Sequence, residues 1–322
     1  MNREEIYGAM KAFGKDQYTR TEILSELFAL QNEMVRIAFP DNNSDIDSLK
    51  TWDIERYLNQ LNKERGGVAT EELCRFKNDS REFSNTIKAE ISGRKGEKIA
   101  FDSFRYIFSP NIILKNVELS DDKLNTEIDA VVITPKGITV VEVKNTSKNI
   151  YISPKGNYYR TGEYNRQDCK IGEKIDLKER LLRNALRDAG IDGVPIRSVV
   201  VFTNSKIEVQ NRYEGIKTCF VDQLPDMIDG YMSDLNMNEK EMEKIGEVIK
   251  QANCPRKYPA RFDVIQFKND FADLMLKLSS APEYREPVVK YNIWSYVKRL
   301  LTTRYSARLG TLAATFAIIT KH

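Results

Sequence analysis

The stretch TEIDAVVITPKGITVVEVKN, residues 126–145, sets Glu127, Asp129, Glu142 and Lys144 around two valine and isoleucine runs joined by Pro135-Lys136-Gly137. β-Branched runs bounded by turn residues predict the two strands of a hairpin. A strand alternates its faces, so Glu142 and Lys144 point one way while Val141 and Val143 point the other. In a strand covered on both sides, that puts a carboxylate and an ammonium in or near the core, where an unpaired charge is costly. One reading is structural: the pair sits near the strand end and reaches water. The other is chemical. Antiparallel pairing brings the start of one strand beside the end of the next, so all four charges fall at one sheet edge. Three carboxylates and a lysine suit Mg²⁺ or Mn²⁺ and an activated water.

The register matters to this reading. A three-residue loop at 135–137 pairs Thr134 with Ile138 and sets Asp129 opposite Val143, out of phase with Glu142 and Lys144. A shared site therefore requires a β-bulge or a four-residue loop between 127 and 142. A further carboxylate comes from upstream. On the helix expected through GRKGEKIAFDSFRYIF, residues 93–108, Glu97 continues the apolar stripe of Ala100, Phe101, Phe104 and Phe108. It either reaches solvent at a helix end or faces a metal from a helix packed on the sheet. Gln167 raises the same question on a helix expected from Asn165 to Ala189, where it shares a face with Ile171, Lys174, Leu182 and Ala185. An amide that donates and accepts suits a backbone phosphate or a bound water.

Composition removes competing chemistries. The sole histidine is His322, the last of 322 residues, which argues against Ser-His, Cys-His and His-metal sites. Cys74, Cys169, Cys219 and Cys254 form no CxxC pair, so a zinc ribbon or disulfide framework is not expected and a reduced cytoplasm fits. Fifty basic residues against forty-seven acidic ones leave a net charge of +3, so any basic surface must be local. The segment MNREEIYGAMKAFGKDQ lacks the apolar core of a signal peptide. The longest apolar run, LGTLAATFAII at 309–319, falls short of the roughly 20 residues that span a bilayer.

Along the chain, residues 1–85 read as helical, with apolar residues at three and four spacing and loop signals at Asp41–Ser44 and Gly66-Gly67. Residues 71–108 predict one long helix, or two broken at Gly93 and Gly96. Strands follow at 111–119 and in the central hairpin, then a second hairpin around Pro154–Asn157, the helix ending at Gly190, a doubly buried strand in IRSVVVFTNS and a short one near KTCFV. That is an α/β domain. Beyond 230 the pattern is helical again. The basic tail with its apolar end, 290–322, suits a final helix on the protein's own core or, as the weaker expectation, a membrane surface or partner groove.

Taken together, Gly96-Glu97, the block EIDAVVITPKGITVVEVKN, Asn165-x-Gln167 before an amphipathic helix, and VVVFTN resemble the NERD (nuclease-related) domain of the PD-(D/E)xK nuclease superfamily over roughly 90–230. The regions 1–85 and 231–322 read as helical from their own patterns; between them, at 86–230, the resemblance implies an α/β restriction-endonuclease-like core, a mixed sheet flanked by helices. It implies a Mg²⁺- or Mn²⁺-dependent nuclease acting on nucleic acid, with DNA favoured, in a bacterial DNA-processing or defence system. Asp129 and Glu142 would ligate the cation with the Val143 carbonyl; Glu97 would complete the shell; Lys144 would orient or help deprotonate the water; Gln167 would assist at the rim. Glu127 is secondary. The family's tryptophan after the ExK strand and its Asn-Pro before the glutamine read here as Tyr158 or Tyr159 and Asn165-Arg166, which leaves the substrate open. The alternative is a non-catalytic module on the same fold that holds nucleic acid or a protein. In both readings the helical regions serve grip, control, or contact with a second copy or a partner protein.

Overall fold

The structure, a computed structural model, describes residues 2–40, 49–121, 123–161 and 166–282. Four helices come first: α1 (Arg3–Ala9), α2 (Arg20–Ala38), α3 (Thr51–Glu64) and α4 (Thr70–Ser103). The strands β1 (Ile112–Ser120), β2 (Asn125–Thr134), β3 (Gly137–Lys144), β4 (Asn149–Ile152), β5 (Asn157–Thr161) and β6 (Arg166–Lys170) lead into α5 (Ile171–Asp188). After these come β7 (Ile196–Phe202), β8 (Val209–Asn211), β9 (Lys217–Phe220), α6 (Leu224–Asp229), α7 (Glu239–Ala252) and α8 (Val264–Ser280).

The central sheet has the order β1-β2-β3-β7-β9. β1, β2 and β3 pair antiparallel, whereas β3, β7 and β9 run parallel, so the sheet is mixed as expected. One face packs Val131, Ile133 and Val140 against Leu182 and Leu186 of α5 and Ile245 and Ile249 of α7. The other packs Val132, Val141 and Val201 against Ala100 of α4, Phe104, and Leu224 and Ile228 of α6. Cover on both faces explains why β7 reads as an unbroken apolar run. A second sheet, β6-β5-β4-β8, encloses Ile150, Ile152, Tyr158 and Ile175.

The helical core is shared by both ends of the chain. α2 buries Ile23, Leu27, Leu30 and Met34 at the spacing read from the sequence, and Phe267, Phe271, Leu274 and Leu278 of α8 join that cluster with Phe76 and Phe83 of α4. The region after 230 thus divides: α7 covers the sheet and α8 completes the N-terminal helices. α4 carries the chain through residue 85 without a break, from one core into the other.

Three sequence expectations need correction. Thr134 pairs with Gly137, so the β2–β3 loop has two residues, not three or four, and the β2–β3 ladder has no bulge. Gly137 takes a φ of 136°, and a Cβ there would stand 2.6 Å from the Pro195 carbonyl oxygen, so glycine lets the new strand begin one residue earlier. The helix expected from Asn165 begins at Ile171; residues 166–170 form β6 instead, because pairing to β5 outweighs local helix propensity. Gly93 and Gly96 do not break α4, whereas the apolar stripe ends early, with Phe108 92% exposed. The Asp41–Ser44 loop signal, the Asn165 cap and the 290–322 tail lie outside the described residues.

Candidate active site

The ladder ends at Ala130↔Val141, and beyond it β2 and β3 part like a fork. Extending the register sets Asp129 opposite Glu142, the phase that a three-residue loop would have denied. Asp129 turns into the fork, where its Oδ2 accepts the Val143 N–H at 2.7 Å. An irregularity on the other side of β2 frees it: β1–β2 pairing skips Asn116 and Asp129, and Asn116 takes a left-handed φ of 52°. Val143 directs its carbonyl to the same side of the strand as its N–H, hence into the fork.

Glu142 lies on the opposite face of β3 from Val141 and Val143, under α5. Its two oxygens accept from the Lys144 and Lys178 ammonium groups. Lys178 is 5% exposed and Glu142 7%, so this is a buried ion triad. Burial pushes the Glu142 carboxyl up, but the two lysines overcome it and hold it down at about 2. Asp129 goes the other way: burial first, then the Glu142 carboxylate, push it up to about 7, against the pull of Lys178, Lys144 and the Val143 N–H. Burial works against the charge on Lys144, yet Glu142 and Asp129 raise it above the ordinary lysine value. Lys144 is therefore an ammonium.

A second cluster adjoins the first from the α4 face. Glu97 reaches Arg20 Nη2 at 2.5 Å, and Glu127 is bonded to Nη1 of the same guanidinium. Arg20 is the first residue of α2, fixed there by a capping box in which Thr19 and Glu22 bond each other's backbone. A cation at a helix N-terminus opposes the helix dipole. Here the two glutamates, with Asp129 close by, outweigh that and raise Arg20 despite its burial. Arg94 secures the arrangement by donating to the Arg20 carbonyl at 2.9 Å. For Glu127, burial outweighs Arg20 and leaves its pKa above the usual glutamate value.

Both clusters line one cleft of about 620 Å³, with Tyr258 and Arg261 at its edge. It brings together Asp129, Glu142, Val143, Lys144, Glu97 and Glu127; Gln167, exposed on β6, is not among its lining residues. Sequence reasoning missed Lys178 and Arg20. Lys178 carried a signal, since Ile171, Ile175, Lys178 and Leu182 form one stripe of α5, the same anomaly that singled out Glu97. Arg20 carried none, because its role depends on how α2 packs.

The donor set fits a divalent cation in part. The Asp129 carboxyl, deep in the fork and short of positive charge, and the Val143 carbonyl beside it supply hard oxygens. The remaining acids are already bonded to cationic side chains. Among the described residues no group of three or more His, Cys, Asp or Glu side chains is arranged to hold a metal ion.

Residues 92–203 match the family model of NERD, the nuclease-related domain. The NERD family belongs to the PD-(D/E)xK-like nuclease superfamily, and the matched segment runs from the last third of α4 to just past β7. It contains Glu97, Asp129, Glu142, Lys144 and Lys178, but not Arg20, Tyr258 or Arg261. No curated protein matches the chain. Among the described residues no helix is long and apolar enough to cross a membrane.

Proposed function

We propose, for a chain whose residues 92–203 match the nuclease-related domain, that the cleft hydrolyses phosphodiester bonds of DNA with the help of Mg²⁺ or Mn²⁺. The observation that carries this is the convergence of Asp129, Glu142, Lys144 and the Val143 backbone at one fork in the sheet. A bound divalent cation supplies an acidified water and charge to offset that developing on the phosphate. Asp129, Glu142, Glu97 and the Val143 carbonyl are the groups that would hold it. Lys144, as an ammonium, orients the attacking water and faces the phosphate oxygens. Lys178 holds Glu142 in place from α5. Gln167 stands on β6 of the neighbouring sheet, outside the cleft lining.

A second reading draws on the cations already seated on Glu142, Glu97 and Glu127. It makes the chain a non-catalytic module that binds nucleic acid or a protein through the same cleft. Incubation of the protein with plasmid DNA, linear DNA and RNA, in Mg²⁺, Mn²⁺ or EDTA, separates the two. The first reading expects metal-dependent cleavage that Asp129→Ala and Lys144→Ala abolish. Cleavage unchanged in those variants refutes the site, and no cleavage of any substrate supports the module.

A further inference from the structure

β3 and β7 run parallel and end side by side at Lys144↔Phe202. In open α/β sheets, ligands bind outside the carboxyl ends of the strands. Here a groove of about 720 Å³ lies there, floored by Asn145–Lys148 and Thr203–Asn204 and walled by Ser92, Lys95 and Ile99 of α4. It shares Ala89, Gly93 and Asn145 with the acidic cleft, so the two form one channel.

Their charge balance differs. The cleft sets Glu90, Glu97, Glu127, Asp129 and Glu142 against Arg20, Lys144, Lys174, Lys178 and Arg261, whereas among the described residues no aspartate or glutamate lines the groove, which has Lys95, Lys148 and Arg160. Arg160 is paired with Asp168. Lys95 and Lys148 are exposed and enter no ion pair among the described residues. The floor between them is tied together by hydrogen bonds. Asn145 donates to the Ser92 carbonyl at 2.8 Å and accepts from Thr203 Oγ1 at 2.9 Å, and Asn204 donates to the Thr146 carbonyl at 3.1 Å. These bonds consume the Asn145 and Thr203 donors; the Thr146 and Ser147 hydroxyls that remain, flanked by two ammonium groups with no ion pair among the described residues, match a run of phosphates.

The channel also continues the other way. A depression lined by Asn78, Arg81, Glu82, Asn85 and Arg261 shares Ala89 with both neighbours and Arg261 with the cleft. Asn78, Arg81, Asn85, Ala89 and Ser92 are three or four residues apart and form one stripe of α4. From Asn78 to Ile99 that stripe is about 30 Å long at 1.5 Å per residue.

We propose that the groove beyond β3 and β7 binds the sugar–phosphate backbone of a nucleic acid on one side of the acidic cleft, with Lys95 and Lys148 on its phosphates. The proposal deepens the nuclease reading and rests on it for the direction of the strand, but binding is measured without cleavage. The probe is a fluorescein-labelled duplex of 20 base pairs, titrated by anisotropy in EDTA across a salt series. Each phosphate that a lysine no longer neutralises reduces the slope of log K against log salt by about 0.9. Lys95→Ala/Lys148→Ala is expected to reduce the slope by about 2 and the affinity at 0.1 M salt by about tenfold or more. Lys240→Ala/Lys244→Ala, on exposed positions of α7, is expected to change neither.

The proposal is overturned if the wild type does not bind the duplex, if the groove variant binds with wild-type affinity and slope, or if the α7 variant is weakened as much. Displacement by a mononucleotide at the nucleotide concentration at which unlabelled duplex displaces would also overturn it, as the mark of an isolated-anion site. Hydrolysis of bis(4-nitrophenyl) phosphate in Mn²⁺ keeps the two readings apart. Lysine-dependent binding with no hydrolysis sustains the groove and refutes the nuclease, whereas hydrolysis with lysine-independent binding does the reverse.

Discussion

Replacing Arg20 with glutamine removes the guanidinium that Glu97 and Glu127 share. A charge-assisted hydrogen bond contributes about 1.5–3 kcal/mol. Two such bonds disappear, but the side chains are 29%, 13% and 23% exposed, so water takes over part of the role. The net loss is about 2–3 kcal/mol, or roughly 3–4 °C in thermal midpoint for a chain of this size. The loss depends on pH with a definite sign. Glu127, already above its usual value through burial, rises further without Arg20. The deficit is therefore full when Glu127 is ionised, near pH 7.5, and shrinks as Glu127 takes up its proton at lower pH. Mn²⁺ should then stabilise the variant more than the wild type, because the acids beside Asp129 are no longer occupied. A tenfold gain in metal affinity returns about 1.4 kcal/mol. Thermal melts in EDTA and in Mn²⁺, at pH 4.5 and 7.5, read all three effects. An unchanged midpoint at pH 7.5 in EDTA, or an equal deficit at both pH values, would refute the reasoning.

Lys178→Met keeps the side-chain volume but leaves one oxygen of buried Glu142 without a partner. A loss of about 3 kcal/mol is expected in urea denaturation, and a loss under about 1 kcal/mol, the size of an ordinary hydrogen bond, would mean that Lys144 alone satisfies Glu142. Gly96→Ala places a Cβ 2.6 Å from that of Asn145, so the helix must withdraw at a cost of about 1–3 kcal/mol. Gly93→Ala meets nothing within 4 Å and is expected to stabilise by roughly 0.5–1 kcal/mol; the two shifts carrying the same sign would contradict the packing described. In the helical core, burial and a bond with Asp270 raise the Asp79 carboxyl to about 6, and its buried Oδ2 has no partner while ionised. The folded state thus holds a proton that the unfolded chain has released, so this contribution falls as pH rises from about 4 to 6. Asp79→Asn should flatten that slope and add about 1 kcal/mol at pH 7.5, and a variant that keeps the wild-type slope would rule the pair out as its source.

The hairpin was legible because two β-branched runs around a turn allow little else, and its charged ends marked Asp129, Glu142 and Lys144 as anomalies. The register was not, since one residue of loop length decides which charges meet, and only the approach of Pro195 to Gly137 shows why the strand starts where it does. Glu97 and Lys178 share one signature, a charge in an apolar helical stripe, and reading the second as carefully as the first would have found the triad. Gln167 was misplaced because its segment reads as part of an amphipathic helix, while pairing with β5 draws it into a sheet. Arg20 and the common core of α2 and α8 depend on contacts between residues far apart in sequence, which no local pattern encodes.

α4 belongs to both cores. Over 34 residues, about 50 Å at 1.5 Å per residue, it buries Phe76 and Phe83 among the helices and Ala100 against the sheet. A rod held at both ends has no hinge, so any movement of the helical half against the sheet must be absorbed as bending. Sharp bends in helices fall at glycine and serine pairs. On α4 that is the run Ser92-Gly93-Arg94-Lys95-Gly96, which carries Arg94 of the Arg20 clamp and Lys95 of the groove and ends one residue before Glu97. A load on the helical half, from a partner or a long substrate, would thus be felt first at the acid that the helix presents to the cleft.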